Sequence, residues 1–159
     1  MNINIVGVGS VKEDYLNYGI SEFKKRLQRF CDLKIIEVKN ENLGSNLSEK
    51  DLINIRKKEA ARILDKIPER SYVFALDVRG KPMTSKGFAK SLHNLQLRGC
   101  SSFTFIIGGA TGLSKNLLNK ADYRLSLSPM TFTHQMIRLI ILEQIYRAFK
   151  INNNEPYHL

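Results

Sequence analysis

The chain has 159 residues, of which 43% are hydrophobic, and it carries a formal net charge of +10. Such a length buries a core without disulfides or metals, and the composition excludes a disordered chain. Residues 1–10 have the pattern of a strand and not of a signal peptide, and no apolar run approaches the roughly 20 residues of a membrane span. Cys31 and Cys100 lack CxxC spacing. We therefore expect a cytoplasmic protein with no membrane segment and no metal.

The positive charge is concentrated in the second half of the sequence. Residues 1–70 contain 14 basic and 11 acidic residues, whereas residues 71–159 contain 11 basic and only 4 acidic ones. The net charges of the two parts are therefore +3 and +7. An acid-poor surface favours a polyanionic partner, and RNA is the obvious class.

Apolar runs alternate with helical patterns along the chain. The strands are expected at residues 3–9, 33–39, 72–78, 102–108 and 123–128. The helices are expected at residues 14–30, 48–67 and 84–99, in a short segment from 114, and in a long final segment. This alternation predicts an α/β fold in which one domain, residues 1–159, has a mostly parallel sheet. Ligands of such sheets bind at the carboxyl ends of strands, so the loops after Leu76, Ile107 and Leu127 are the candidate site.

Two short motifs in these loops each have two interpretations. The glycine-rich segment 108-GGATG-112 follows a strand and precedes a helix, so it is either a tight turn or a loop that approaches a ligand. It matches neither GxGxxG nor a P-loop. Asp77 either holds a ribose hydroxyl or begins a turn.

The final helix has an unusual distribution of apolar residues. On a helical wheel, the run 139-LIIL-142 points in four directions, whereas His134 and Arg138 lie only 40° apart. A helix that is apolar all round is covered on more than one side. The pattern predicts a homodimer with this helix at its interface, or alternatively a helix buried at the centre of a monomer.

Four motifs in order make the sequence recognisable: 76-LDVRGK-81, 106-IIGGATGL-113, 127-LSPMTFTHQMIRLIILEQIYRAFKI-151 and 156-PYH-158. Over essentially its whole length the chain resembles the ribosomal RNA large subunit methyltransferase H family of the SPOUT superfamily. The resemblance implies an S-adenosylmethionine-dependent enzyme that methylates N3 of a pseudouridine in 23S (large-subunit) ribosomal RNA. It also implies a homodimer with helices on both faces of the sheet and a C-terminal trefoil knot.

The resemblance also implies the site residues. The cofactor is expected to bind at Leu76, Gly108 and the run Leu127, Ser128, Pro129, Met130, Thr131 and Phe132, where apolar side chains offer a slot for adenine. Residues expected near the transferred methyl group are His134, Arg138, Tyr157 and His158, although a phosphate-binding role for Arg138 is an alternative. The tail that carries His158 is expected to order over an active site, either its own or that of the partner subunit.

The sequence departs from the family pattern at two places. Thr133 occupies a position where the family usually has proline, and Leu159 follows His158 where a basic residue is usual. Two rival hypotheses remain at this stage. One is a non-enzymatic RNA-binding or ribosome-binding protein on the same fold, and the other is a dinucleotide-dependent oxidoreductase. The segment 7-GVGSVKED-14 lacks the third glycine that the second rival needs.

Overall fold

A computed structural model describes residues 1–157 of the chain. Its ten elements alternate strictly between strand and helix. They are β1 (Asn2–Val8), α1 (Asp14–Leu27), β2 (Asp32–Val38), α2 (Glu49–Leu64), β3 (Tyr72–Pro82), α3 (Ser85–Leu97), β4 (Ser102–Ile107), α4 (Lys115–Lys120), β5 (Tyr123–Ser126) and α5 (His134–Asn152). The predicted order of elements is confirmed, and their bounds differ from the expected ones by a few residues.

The five strands form one parallel sheet in the order β2-β1-β4-β3-β5. Every strand is followed by a helix that returns the chain to the other end of the sheet, as parallel pairing requires. The strands β4, β3 and β5 are neighbours, so their carboxyl ends meet at one edge. The three loops that the sequence proposed for the site therefore lie together.

Helices cover both faces of the sheet, as expected. On one face α1, α3 and α5 bury a core that includes Leu27, Phe88 and Ile141, together with the rings of Phe74 and Phe105, which stack with centroids 4.9 Å apart. On the other face, residues of α2 and α4 such as Ile63 and Leu117 pack on a second, aliphatic cluster. These two covered faces explain why the central strands β1 and β4 are almost continuously buried.

The strand β3 is longer than the sequence predicts. We expected a turn after residue 78, but the strand continues to Pro82 after an irregularity at which both Leu76 and Lys81 pair with Leu125. Gly80 makes this possible, because a Cβ atom there would lie 2.6 Å from the carbonyl oxygen of Arg124. A bulge of this kind redirects the chain next to the loops of the site.

The four apolar residues at the middle of α5 are covered largely within the chain. Ile141 and Leu142 are fully buried against the sheet. Leu139 packs so closely on α1 that a Cβ atom at Gly19 would lie 2.9 Å from its Cδ1 atom, and Ile140 faces a small cavity shared with Phe88. The helical-wheel pattern is therefore explained by α1 and α3, and by itself it does not require a second copy of the chain.

Candidate active site

A cavity of about 540 Å³ lies at the carboxyl ends of β3, β4 and β5. This size falls within the roughly 300–1,000 Å³ that is typical of small-molecule sites. Seven of the eight residues expected at the cofactor line it, namely Leu76, Gly108, Leu127, Ser128, Met130, Thr131 and Phe132. Pro129 is not among the lining residues.

The glycine-rich loop after β4 folds back tightly on itself. A Cβ atom on Gly108 would lie 2.7 Å from the carbonyl carbon of Gly112 and 2.9 Å from the nitrogen of Leu113, both of which are backbone atoms. Gly112 has a φ of +81°, and its N–H donates to the carbonyl oxygen of Gly109 at 3.0 Å. The loop is thus a tight turn that also lines the cavity, and its close approach to a ligand stays a prediction.

The loop between β5 and α5 forms the opposite wall of the cavity. The hydroxyl of Ser126 donates to the carbonyl oxygens of Val78 and Ser128, both at 3.1 Å, and the N–H of Met130 donates to the Ser128 hydroxyl at 3.0 Å. Met130 nevertheless remains 74% exposed and Phe132 39% exposed. Two large apolar side chains therefore lie open at the mouth of the cavity.

Asp77 also lines the cavity, but its carboxylate already has partners. It accepts a hydrogen bond from Arg124 at 2.7 Å and one from the backbone N–H of Arg79 at 3.2 Å. Burial opposes ionisation, and these bonds outweigh it and lower the pKa of Asp77. Asp77 therefore holds the bulged part of β3 to β5.

The helix α5 begins directly at the cavity. Thr133 is its N-cap, since its hydroxyl accepts a hydrogen bond from the N–H of Met136 at 3.2 Å. His134 follows and lines the cavity. Burial, assisted by the charge of Arg138, lowers the pKa of His134, so its imidazole is neutral near pH 7 and has a nitrogen that accepts a proton.

Replacing Thr133 tests whether the chain tolerates its departure from the family pattern. Thr133→Ala is expected to lower the free energy of unfolding by about 1 kcal/mol through loss of the cap. Thr133→Pro is expected to cost less, because the φ of −63° at this position suits proline and offsets part of the lost hydrogen bond. Urea denaturation measures both, and a Thr133→Pro variant less stable than Thr133→Ala would contradict this explanation.

Arg138 does not lie where the sequence placed it. Its side chain is only 1% exposed and lines neither the cavity described above nor the neighbouring one described below. The guanidinium donates to Glu37 at 2.8 Å and to the carbonyl oxygens of Val8 and Gly9 at 2.8 and 2.6 Å. The expectation that it faces the transferred methyl group is corrected, because Arg138 instead ties the start of α5 to the end of β1.

Removing the guanidinium should destabilise the protein. Arg138→Met is expected to lower the free energy of unfolding by about 2–4 kcal/mol, because it leaves two carbonyl oxygens without their donor. Chemical denaturation measures this, with Arg79→Met as the control, because Arg79 is also paired with a carboxylate but is largely exposed. An Arg138→Met variant as stable as Arg79→Met would show that the buried cluster contributes nothing.

Tyr157, the remaining predicted residue that the structure describes, lies away from the cavity within one chain. The hydroxyl of Tyr157 donates to Glu143 at 3.2 Å, its ring meets Tyr146 edge-on, and the guanidinium of Arg147 lies 4.8 Å from its centroid. Glu143 is nine residues along α5 from His134, which corresponds to about 13 Å of helix. Burial and the Glu143 carboxylate raise the pKa of Tyr157. His158 lies outside the described residues.

A second, smaller cavity was not predicted from the sequence. Its volume is about 250 Å³, and it shares Gly109, Ala110, His134 and Gln135 with the first cavity. Glu59 of α2 belongs to its wall and is only 4% exposed. Glu59 falls on the buried side of α2 with Ile55, Ala60 and Ile63, and a glutamate in that apolar stripe was the signal available in the sequence.

No cluster of three or more His, Cys, Asp or Glu side chains within residues 1–157 is arranged to hold a metal ion. None of the helices in that range combines the length and hydrophobicity of a bilayer-spanning segment.

A parallel α/β fold with a glycine-walled cavity at three neighbouring strand ends is typical of proteins that bind a small molecule. Residues 1–158 match the family model described as "Predicted SPOUT methyltransferase". A protein of Halothermothrix orenii named ribosomal RNA large subunit methyltransferase H is 58% identical over 99% of both chains, and one of the same name from Clostridioides difficile is 57% identical over the same shares. The chain therefore belongs to the SPOUT methyltransferase family, specifically to its ribosomal RNA large subunit methyltransferase H group.

Solved structures agree on the fold at much lower sequence identity. A methylase family protein of Haemophilus influenzae superposes with a TM-score of 0.56 and 13% identity, covering 99% of this chain and 70% of the other. A protein of Legionella pneumophila described as a methyltransferase, solved in complex with the cofactor SAM, has a TM-score of 0.52 and 12% identity over 94% of this chain and 66% of the other. Family membership removes the oxidoreductase hypothesis.

Proposed function

We propose that the protein is an S-adenosylmethionine-dependent methyltransferase that modifies N3 of a pseudouridine in large-subunit ribosomal RNA. One observation carries the proposal: seven of the eight residues expected at the cofactor line a single cavity, and His134 lies in its wall. The names of the relatives support ribosomal RNA as the substrate. The net charge of +10 favours a polyanionic partner of the same kind.

The fit of the cofactor depends on the two loops of the cavity. Leu76, Leu127 and Phe132 provide apolar surface for adenine, and the glycine loop allows the backbone to approach closely. S-adenosylmethionine, when bound, supplies a methyl group that is already activated as a sulfonium. The protein then has two tasks, which are to align the acceptor nitrogen with the methyl carbon and to accept the imide proton.

His134 is the proposed general base. Its lowered pKa keeps it unprotonated near neutrality, and it takes the N3 proton as the N–C bond forms and the C–S bond breaks. Arg138 supports this residue indirectly through its bonds to Glu37 and to the end of β1. We propose no contact between Arg138 and either substrate.

The homodimer is part of the proposal. Tyr157 is remote from the cavity of its own chain, whereas Met130 and Phe132 are exposed at the mouth. A second copy that covers the mouth would bury these side chains and bring its own tail, with Tyr157 and His158, over the cavity. The cytoplasmic location predicted from the composition and the trefoil knot implied by the resemblance both remain predictions.

Deleting residues 156–159 tests the tail. The truncated protein should bind S-adenosylmethionine as the full chain does but lose about 100-fold or more in methyl transfer, the usual order for losing positioning and proton transfer. Mixing it with a His134→Gln variant should restore part of the activity, because a mixed dimer has one cavity with both an intact His134 and an intact partner tail. Full activity after truncation alone would refute a role for the tail.

The function is tested by two measurements on the purified protein. Calorimetry should detect S-adenosylmethionine binding and no NAD binding, and labelled methyl groups should enter ribosomes from cells without the endogenous enzyme. Cofactor binding with no incorporation would contradict the proposed substrate. Binding of neither cofactor would favour the RNA-binding protein without enzymatic activity.

A further inference from the structure

A surface groove with a positive lining lies between the bulge of β3 and the start of β5, and we name it the bulge groove. Its volume is about 290 Å³, and none of its lining residues belongs to the cofactor cavity. Three of its lining side chains are basic, those of Arg79, Lys81 and Arg124, and one, that of Asp122, is acidic. Since β5 is the last strand of the sheet, the groove lies at an edge of the molecule.

The carboxylates at the bulge groove are already bonded to the two strands. Asp122 accepts a hydrogen bond from the N–H of Val73 at 2.7 Å. Asp77, which lies beside the groove, accepts one from Arg124 at 2.7 Å. These bonds hold β3 and β5 together, so both carboxylates have a structural role.

The cations at the bulge groove are more accessible than these carboxylates. Nε of Arg79 is 3.8 Å from Asp77, which is longer than a hydrogen bond, and the Arg79 side chain is 78% exposed. Lys81 is also exposed, and no carboxylate within residues 1–157 is paired with it. Exposed Lys120 ends α4 immediately before the groove. The groove therefore offers cations to an anionic ligand from solution.

The backbone that carries Arg79 and Lys81 is held in one conformation. A Cβ atom on Gly80, between them, would lie 2.6 Å from the carbonyl oxygen of Arg124. The hydroxyl of Ser126 donates to the carbonyl oxygen of Val78 at 3.1 Å. Both close contacts join the bulge to β5, so the two exposed cations project from a preorganised support.

The bulge groove begins where the cofactor cavity ends. Val78 lines the cavity and Arg79 lines the groove, and consecutive Cα atoms are about 3.8 Å apart. A chain of anionic groups that enters the groove therefore passes the mouth of the cavity. The forked donors of arginine match the oxygens of a phosphate, and lysine adds a point charge.

We propose that the bulge groove binds the phosphodiester backbone of the substrate RNA beside the nucleotide that is methylated, with Arg79 and Lys81 contacting the phosphates. This inference rests on the proposed function and assigns part of its RNA-binding surface. Phosphate contacts fix the position of a nucleic acid without reading its sequence. Arg79 and Lys81 are thus positioning residues that contribute to RNA binding and not to the chemical step.

The first test removes both charges in the double variant Arg79→Gln/Lys81→Gln. Its KM for ribosomes should increase on the order of tenfold, with kcat within about twofold of wild type and unchanged affinity for S-adenosylmethionine. The plot of log kcat/KM against log salt concentration should become less steep by about one to two. A loss of cofactor affinity, or a lower kcat with unchanged KM, would overturn the proposal by assigning the bulge to support of the cavity.

The matched control is Lys50→Gln/Lys57→Gln, which removes the same charge from exposed positions on α2. This helix packs on β1 and β2, away from β5. The control should match wild type in KM and in salt dependence. Equal changes in the two double variants would overturn the proposal, because they would show a general effect of net charge.

The second test measures binding without methyl transfer. Ribosomes and protein-free large-subunit RNA should each bind the wild type about tenfold more tightly than the Arg79→Gln/Lys81→Gln variant. Equal affinity of both proteins for the free RNA would overturn the proposal by excluding RNA as the ligand of the groove. If the wild type transferred no methyl group to ribosomes, the proposed activity would be refuted, and these affinities alone would decide the role of the groove.

Discussion

Replacing Gly108 by alanine is expected to weaken S-adenosylmethionine binding by about 10- to 100-fold, the equivalent of the roughly 1–3 kcal/mol that overpacking costs. The added methyl group would lie 2.7 Å from a backbone atom of Gly112 and 2.9 Å from one of Leu113. Neither atom can move without displacing the glycine loop, which is one wall of the cavity. Calorimetric titration with the cofactor measures the effect.

The matched control for this substitution is Gly44→Ala. No atom lies within 4 Å of the position that a Cβ atom on Gly44 would take, and the residue lies between β2 and α2, outside both cavities. Its cofactor affinity should equal that of wild type. If Gly108→Ala also bound the cofactor normally, the cavity at the strand ends would not be the cofactor site.

Replacing His134 by glutamine is expected to lower the single-turnover rate of methyl transfer by about 100- to 10,000-fold, the range typical of a lost general base. Cofactor affinity should change little, because glutamine retains the bulk of the cavity wall. His93→Gln is the control, since His93 is exposed on α3. Equal rates for the two variants would exclude His134 as the base.

The pH dependence of the same reaction provides a second criterion for His134. Its pKa is lowered from its ordinary value of about 6.5. The unprotonated imidazole is the active form, so the wild-type rate should be constant above neutral pH and should fall only as the pH decreases through the lowered pKa. The His134→Gln variant should lack this fall. A wild-type rate that increased on acidification would contradict the assignment.

Much of the fold follows from the sequence because its signals are local. Alternation of apolar runs and helical patterns predicts the ten elements, and the segment 48-SEKD-51 predicts the start of α2. In the structure the Ser48 hydroxyl accepts from the Asp51 N–H at 3.2 Å, and the Ser48 N–H donates to the Asp51 carboxylate at 2.9 Å. Hydrophobic periodicity alone does not give the strand order β2-β1-β4-β3-β5, which depends on contacts between distant segments.

Arg138 illustrates why part of the site could not be predicted. The helical wheel correctly places Arg138 near His134 on α5. The environment of its side chain, however, depends on one residue in each of two strands. Gly7 and Glu37 are register partners in β1 and β2, and a Cβ atom on Gly7 would lie 2.8 Å from Nε of Arg138. The glycine provides the space and Glu37 provides the charge, so the arginine is buried. The sequence signals were a glycine in β1 and a glutamate in β2. They become informative only when the two residues are known to be register partners.

Glu59 and Thr111 were missed for a related reason. Each residue is ordinary in its own segment, one on a charged helix and the other in a glycine-rich loop. They come together at the second cavity only because α2 packs beneath the loop after β4, where Arg56 bonds to the backbone of Thr111. The residues expected at the cofactor, by contrast, follow from the resemblance, and seven of those eight share one cavity.

The most direct test of the proposed activity compares two preparations of ribosomes, one with and one without pseudouridine in the large-subunit RNA. Incubation with the protein and S-adenosylmethionine labelled in the methyl group should incorporate about one methyl per ribosome in the first preparation and none in the second. Digestion to nucleosides should recover the label as N3-methylpseudouridine. Equal incorporation into both preparations, or label in any other nucleoside, would contradict the assigned substrate.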